Sequence, residues 1–235
     1  MHRFQSELIP ATLLRRYKRF LADCRLPDGS EVTAHIANPG AMTGLDTPGI
    51  RIWIEPNDDP RKKLKYAWRL IEHENGHFTG VDTGAANRIV KQALRMNSIL
   101  ELSNYDSITP EARYGENSRI DFLLRARNLP DCYLEVKSVT LSRCPQIAEF
   151  PDCVTARGTK HLRELAAMRA QGHRTVMLYL VQRTDCTHAC LARDIDPAYA
   201  SAFDTSTKAG LETLAFGCTL SPMGAALAQR LTFTQ

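Results

Sequence analysis

The chain has 235 residues, of which 43% are hydrophobic and 24% charged, with a formal net charge of +4. That composition fits one large or two small soluble globular domains and excludes a disordered or fibrous chain; the mild positive charge permits a polyanionic partner without demanding one. No stretch approaches the roughly 18 consecutive apolar residues of a membrane span, and residues 1–10 lack the apolar core of a signal peptide. Seven scattered cysteines fit a reduced, cytoplasmic protein better than a disulfide framework.

Residues 1–82 read as mostly strand. Runs at 8–17, 20–26, 31–36, 51–55, 66–73 and 78–81 are divided by turn signals such as Pro27-Asp28-Gly29, Asn38-Pro39-Gly40, Pro48-Gly49 and Asn75-Gly76. Short strands at this spacing predict a small barrel or sandwich. Two basic clusters with interleaved aromatics fall here. Arg15, Arg16, Lys18 and Arg19 surround Tyr17 and Phe20; Arg61, Lys62, Lys63 and Lys65 precede Tyr66 and Trp68. Cations that track phosphates and rings that stack on bases are what a nucleic-acid groove needs. The same residues also suit a solvated hairpin tip. His35, Asn38 and Gly40 belong to a loop whose glycines allow close approach, to a phosphate or to a partner domain; a plain tight connection is the alternative.

The period changes at Thr83. Ala86, Ile89, Val90, Ala93 and Leu94 form one helical stripe, with Asn87, Arg88, Lys91, Gln92 and Arg95 opposite. Asp82 or Thr83 suits the N-cap. A domain boundary is expected just before this helix, giving domains 1–82 and 83–235. A strand near 112–114 follows. Next come two apolar runs, Ser118-Arg119-Ile120-Asp121-Phe122-Leu123-Leu124 and Cys132-Tyr133-Leu134-Glu135-Val136-Lys137-Ser138, joined by the turn Asn128-Leu129-Pro130-Asp131. Strand geometry puts Glu135 and Lys137 on one face. With Asp121 on the partner strand, two carboxylates and an ammonium converge. Such a set suits Mg²⁺ or Mn²⁺ at Asp121 and Glu135, with Lys137 beside the phosphate. A solvated charged face is the alternative reading. An irregular loop ending at Phe150-Pro151-Asp152 leads into a helix over 154–169. A strand at 175–181, a helix at 197–209, a strand at 211–216 and a short helix at 223–230 complete the expectation. Cys186-Thr187-His188-Ala189-Cys190 has zinc-like spacing, but no second pair completes it. The order of the second half, with the Asp preceding a Glu-x-Lys on the next strand, is that of a restriction-endonuclease-like core.

The chain resembles the sugar fermentation stimulation protein A (SfsA) family of bacteria and archaea over nearly its full length. The resemblance rests on Tyr17-Lys18-Arg19-Phe20-Leu21-Ala22-Asp23, His35-x-x-Asn38-x-Gly40-x-Met42, Tyr114-Gly115 with Ser118 to Phe122, and Tyr133 to Thr140. It continues through Phe150-Pro151-Asp152 and Arg157-Gly158-x-Lys160-His161-Leu162-Arg163-Glu164-Leu165. It implies an α+β, two-domain protein: an N-terminal OB-like β-barrel and a C-terminal PD-(D/E)xK restriction-endonuclease-like domain. It further implies DNA as the bound polymer, with RNA left open. Asp121 and Glu135 would be the metal ligands and Lys137 the catalytic cation. Arg157, Lys160 and His161 would support them from the following helix, with Glu111 as a further acid. The family's usual Ala after Pro-Asp is Cys153 here, a small swap. Three functions stay open: a metal-dependent nuclease, a non-catalytic DNA-binding regulator of sugar-utilisation genes, and a protein- or sugar-binding module using Trp53 and Trp68.

Overall fold

The computed structural model describes residues 1–115 and 118–234. Six strands come first: β1 (Ile9–Tyr17), β2 (Leu21–Arg25), β3 (Glu31–His35), β4 (Arg51–Pro56), β5 (Tyr66–Glu72) and β6 (Phe78–Gly80). β1 pairs with β2 and β4, β2 with β3, and β4 with β5, all antiparallel. β3 closes on β5 in parallel. The ring β1-β2-β3-β5-β4 is a closed five-stranded barrel of the OB type. Leu13, Cys24, Ile36, Ile52, Ile54 and Trp68 fill it. Each such large apolar side chain contributes about 1.5–3 kcal/mol on burial. The Trp68 indole N–H donates to the Leu70 carbonyl at 2.9 Å, so its one polar atom is satisfied in the core.

The second half begins with α1 (Thr83–Arg95), capped by Asp82, whose carboxylate accepts from the Gly84 N–H. Then follow β7 (Ser107–Tyr114), β8 (Ser118–Arg125), β9 (Cys132–Val139), β10 (Leu141–Cys144), β11 (Ile147–Phe150) and α2 (Ala156–Ala170). β12 (Arg174–Val181), β13 (His188–Leu191), α3 (Pro197–Lys208), β14 (Glu212–Ser221), β15 (Gly224–Arg230) and β16 (Thr232–Thr234) complete the chain. The main sheet runs β15-β14-β12-β9-β8-β7, with β9, β12 and β14 parallel. Helix α1 covers one face; α2 and α3 cover the other. Strand β9 sorts its side chains by alternation. Cys132, Leu134 and Val136 enter the core shared with α1, while Tyr133 and Val139 face α2 and α3. Glu135 and Lys137 therefore fall on the α2 side. No helix is long and apolar enough to cross a membrane among the described residues.

Three local expectations are corrected. Where a short helix was expected over 223–230, residues Gly224–Arg230 form the edge strand β15. Its alanines carry little preference of their own, and the ladder to β14 with a turn at Gly224 (φ 147°) decides the outcome. The stretch before Phe150 is not irregular: β10 and β11 form a hairpin that joins β13 and β16 in a second, four-stranded sheet. The strand expected near 112–114 extends back to Ser107.

The two halves share main-chain hydrogen bonds. The Gly80 N–H donates to the Gln182 carbonyl at 2.9 Å, and the Thr184 N–H to that of Phe78 at 3.0 Å. The Gln182 side chain bridges to the Asp82 carbonyl and the Ser138 hydroxyl at 3.1 and 2.6 Å. Arg69 of the barrel ion-pairs with both Glu55 and Asp82.

Candidate active site

β8 and β9 are paired from Leu124–Cys132 to Phe122–Leu134, and there the ladder stops. Beyond that point the Asp121 side chain takes the place of a strand partner. Its Oδ2 accepts from the Val136 N–H at 2.7 Å, and Oδ1 from the Asn87 amide of α1 at 2.7 Å. The ladder ends one residue before the two carboxylates, and both line one cleft.

Glu135 is buried, 2% exposed. Its Oε1 accepts from Lys137 Nζ at 2.7 Å and is in contact with His161 Nδ1. Arg157 Nε donates to His161 Nε2 at 3.4 Å, which assigns the ring proton to Nδ1, directed at Glu135. The second carboxylate oxygen, Oε2, is buried without a hydrogen-bond partner. An orphaned buried carboxylate oxygen is costly, and a cation would satisfy it. Burial pushes the Asp121 carboxyl up to about 6, helped by the charge of Glu135 and opposed by the Val136 and Asn87 hydrogen bonds and by Lys137. Glu135 goes the other way. Burial raises it, but the Lys137 charge and the His161 contact together outweigh burial and hold it below the usual carboxylate range. Two acids side by side are thus set apart by their neighbours.

The residues fit a hard divalent ion: two carboxylates, one with an unused oxygen. Among the described residues no three His, Cys, Asp or Glu side chains cluster to hold a metal unaided. Mg²⁺ commonly fills such a partial shell with water and phosphate oxygens.

The cleft encloses about 600 Å³, and the barrel supplies part of its wall: Arg19, Asn38, Pro39 and Gly40 lie opposite Asp121, Glu135, Lys137, Arg157 and His161. The barrel loop is built for this approach. Asn38 Oδ1 accepts from the Gly40 N–H at 2.8 Å. A Cβ on Gly40 would collide with the Asp152 carboxylate, so the glycine lets the loop meet Asp152 without either having to shift. The Met42 N–H donates to the same carboxylate at 3.2 Å.

The basic residues divide by geometry. Arg16 faces inward, its side chain 9% exposed; its guanidinium donates to the carbonyls of Arg19, Asn38, Gly40 and Ala41. It holds the loop and is not a free cation for phosphates. Arg15 pairs with Asp23, which also accepts from the Tyr17 hydroxyl. Arg61 is tied to Asp59, and Lys65 reaches the Asp59 carbonyl. Lys18, Arg19, Lys62 and Lys63 are exposed, and their side chains have no ion-pair partner among the described residues. Lys18 and Arg19 both have left-handed backbones, φ 48° and 65°. Each such non-glycine residue costs roughly 1–3 kcal/mol and is often found where function needs it.

Three expected residues lie off the cleft wall. Lys160 is 54% exposed and faces Glu164 at 3.6 Å. Glu111 is exposed, with φ 53°, between the Pro110–Phe122 and Ala112–Ile120 pairs of the β7–β8 ladder. His35 lines a separate cavity beside β5. Cys186, His188 and Cys190 belong to no metal-holding cluster among the described residues, and all seven cysteines are free thiols. Asn87 and Asp152 were not anticipated at the site. Asn87 sits on the polar stripe of α1, where nothing local marks it, whereas Asp152 stands in the Phe-Pro-Asp segment.

Comparison with known proteins accounts for nearly the whole chain. Residues 14–81 match a family model described as the SfsA N-terminal OB domain, and residues 84–224 the sugar fermentation stimulation protein RE domain. A sugar fermentation stimulation protein homolog from Ruegeria sp. (strain TM1040) is 66% identical over 94% of this chain and 96% of its own. A homolog from Rhodospirillum centenum (strain ATCC 51521 / SW) is 51% identical over 94% and 95%. Among solved structures, SfsA of Pyrococcus furiosus in complex with Ca²⁺ superposes with a TM-score of 0.89 at 24% identity, covering 99% of this chain and 98% of that one. The barrel, the sheet order and these matches together place the chain in the sugar fermentation stimulation protein family.

Proposed function

We infer that this protein binds DNA and hydrolyses its phosphodiester bonds with the help of Mg²⁺ or Mn²⁺. The observation that carries the reading is the buried, unpartnered Oε2 of Glu135 beside Asp121, in a cleft that also holds Lys137. A pure binding protein has no use for that arrangement, since burying carboxylates without compensation is unfavourable. The solved relative named above is a complex with Ca²⁺, a hard oxygen-seeking ion of the same class. Asp121 and Glu135 would hold the ion, which when bound would polarise the phosphate and lower the pKa of a water. Lys137 places a positive charge beside the reacting phosphate, where charge builds in the transition state. His161 orients Glu135 and leaves its second oxygen open, and Arg157 fixes the His161 tautomer. The unit 1–82 would grip the polymer and the unit 83–235 would cut it.

A second reading, a non-catalytic DNA-binding regulator, is favoured by Lys18, Arg19, Lys62 and Lys63, whose exposed charges need no metal to hold phosphates. One experiment separates the two. Labelled single- and double-stranded DNA is incubated with wild type, Lys137→Ala and Glu135→Gln, with and without Mn²⁺ or Mg²⁺. Cleavage that requires metal and disappears in both variants is expected. Tight binding by the wild type with intact DNA under both ions selects the regulator.

A further inference from the structure

Two features of the barrel surface lie outside the carboxylate cleft. A second cavity, of about 410 Å³, lies beside β5, with Lys62, Lys63, His35 and Tyr66 on its wall. Phe20, 41% exposed, stacks on His35 with ring centroids 6.4 Å apart and planes 20° from parallel. Its chain neighbour Arg19 lines the cleft of Asp121 and Glu135. Of two consecutive residues at one hairpin tip, Arg19 thus lines the cleft and Phe20 packs on a wall residue of the second cavity. The tip is held in place: Lys18 and Arg19 are left-handed, and Arg16 grips the Arg19 carbonyl at 3.1 Å.

We propose that the nucleic acid this protein takes is single-stranded, and that it runs from the basic cavity over the Phe20–His35 stack and past Arg19 into the carboxylate cleft. The proposal rests on the phosphodiesterase reading for what happens at the end of that track. Lys62, Lys63 and Arg19 would follow the phosphates, and Phe20 would take an unpaired base. An aromatic ring can stack on a base only where that base has left its own stack, so the platform selects unpaired strands. Sequence preference is expected to be weak, because every base has a face to offer.

The test uses the full-length protein and fluorescent oligonucleotides of one sequence: single-stranded DNA, single-stranded RNA and a DNA hairpin duplex. Affinities are measured by anisotropy in EDTA at fixed salt. At least one single strand is expected to bind about tenfold or more tighter than the duplex, and Phe20→Ala to lose about tenfold of that affinity. Phe20→Ala should leave duplex binding unchanged, and Phe20→Trp should retain single-strand affinity. Equal affinity for duplex and single strand, or a Phe20→Ala variant that binds like wild type, overturns the proposal. A tailed duplex with Mn²⁺ then separates the two readings. Cuts confined to the tail support the track; cuts inside the duplex overturn it while leaving the phosphodiesterase standing. Phe20-dependent binding of single strands with no cleavage at all keeps the track and removes the phosphodiesterase.

Discussion

Arg16→Ala should damage folding more than any other substitution in the first basic cluster. The guanidinium donates to the carbonyls of Arg19, Asn38, Gly40 and Ala41 at 3.1, 3.3, 2.9 and 3.0 Å. It also faces Asp46 at 3.6 Å. The bonds to Arg19 and Ala41 are exposed, so water replaces them. Those to Asn38 and Gly40 are partly buried, and hydrogen bonds from a charged donor are worth about 1.5–3 kcal/mol each. Taking the low end for both gives a loss of about 3 kcal/mol. For a chain of this size that is a fall in Tm of roughly 6–12 °C. Arg15→Ala is the control. Its side chain is 69% exposed on Asp23, and an exposed pair contributes only about 0.2–1 kcal/mol. Arg16→Lys should not restore the wild-type Tm, because one ammonium cannot serve four carbonyls spread around a planar fork. Thermal melts by circular dichroism decide the matter. If Arg16→Ala melts within about 2 °C of wild type yet loses DNA affinity, Arg16 is a phosphate contact and its scaffold role is refuted.

Asp121, with its carboxyl pushed from an ordinary 3.8 up to about 6 by burial and by Glu135, holds in the native state a proton that the unfolded chain releases. Its contribution to stability is therefore full below pH 3.8 and lost as pH rises through about 6, by up to about 3 kcal/mol. Subtracting the Asp121→Asn melting profile from that of wild type should isolate this slope in metal-free buffer, and Mn²⁺ stabilisation should fade as pH drops below about 6; a difference profile that rises with pH would contradict the assignment. Gly40→Ala should displace the Asp152 carboxylate and break its bond to the Met42 N–H, costing about 1.5–3 kcal/mol. The double variant Gly40→Ala/Asp152→Ala should then melt close to Asp152→Ala alone, and simple additivity would show that the clash is not the cause.

The placement of the candidate residues was legible because strand periodicity is strict: Glu135 and Lys137 two residues apart must share a face, and Leu134 and Val136 must share the other. The barrel was legible for a similar reason, since its turn residues are strong and its strands alternate. The basic clusters were not. Arg15, Arg16, Lys18 and Arg19 look equivalent in a string, yet a register shift between Leu13 and Arg15 and the left-handed tip send them to four different environments. Asn87 belongs to a polar stripe visible in the sequence, but its bond to Asp121 depends on α1 lying over the end of β8, 34 residues away. The β10–β11 hairpin was missed because its parallel partner β13 arrives about forty residues later, beyond any local pattern.

The ladder between the Phe78–Gly80 and Gln182–Thr184 backbones has a consequence for anyone who would cut this protein in two. A barrel excised at residue 82 would keep its closed ring but strip the Gly80 N–H and the Phe78 carbonyl of their partners, leaving a bare sticky edge. The excised remainder would lose the roof of its cleft and the strap that runs from His2 to Ala225. The two units look like separable cassettes in a string of letters, but they share seams, so a chimera that swaps one for a foreign copy must carry matching stitches on both sides.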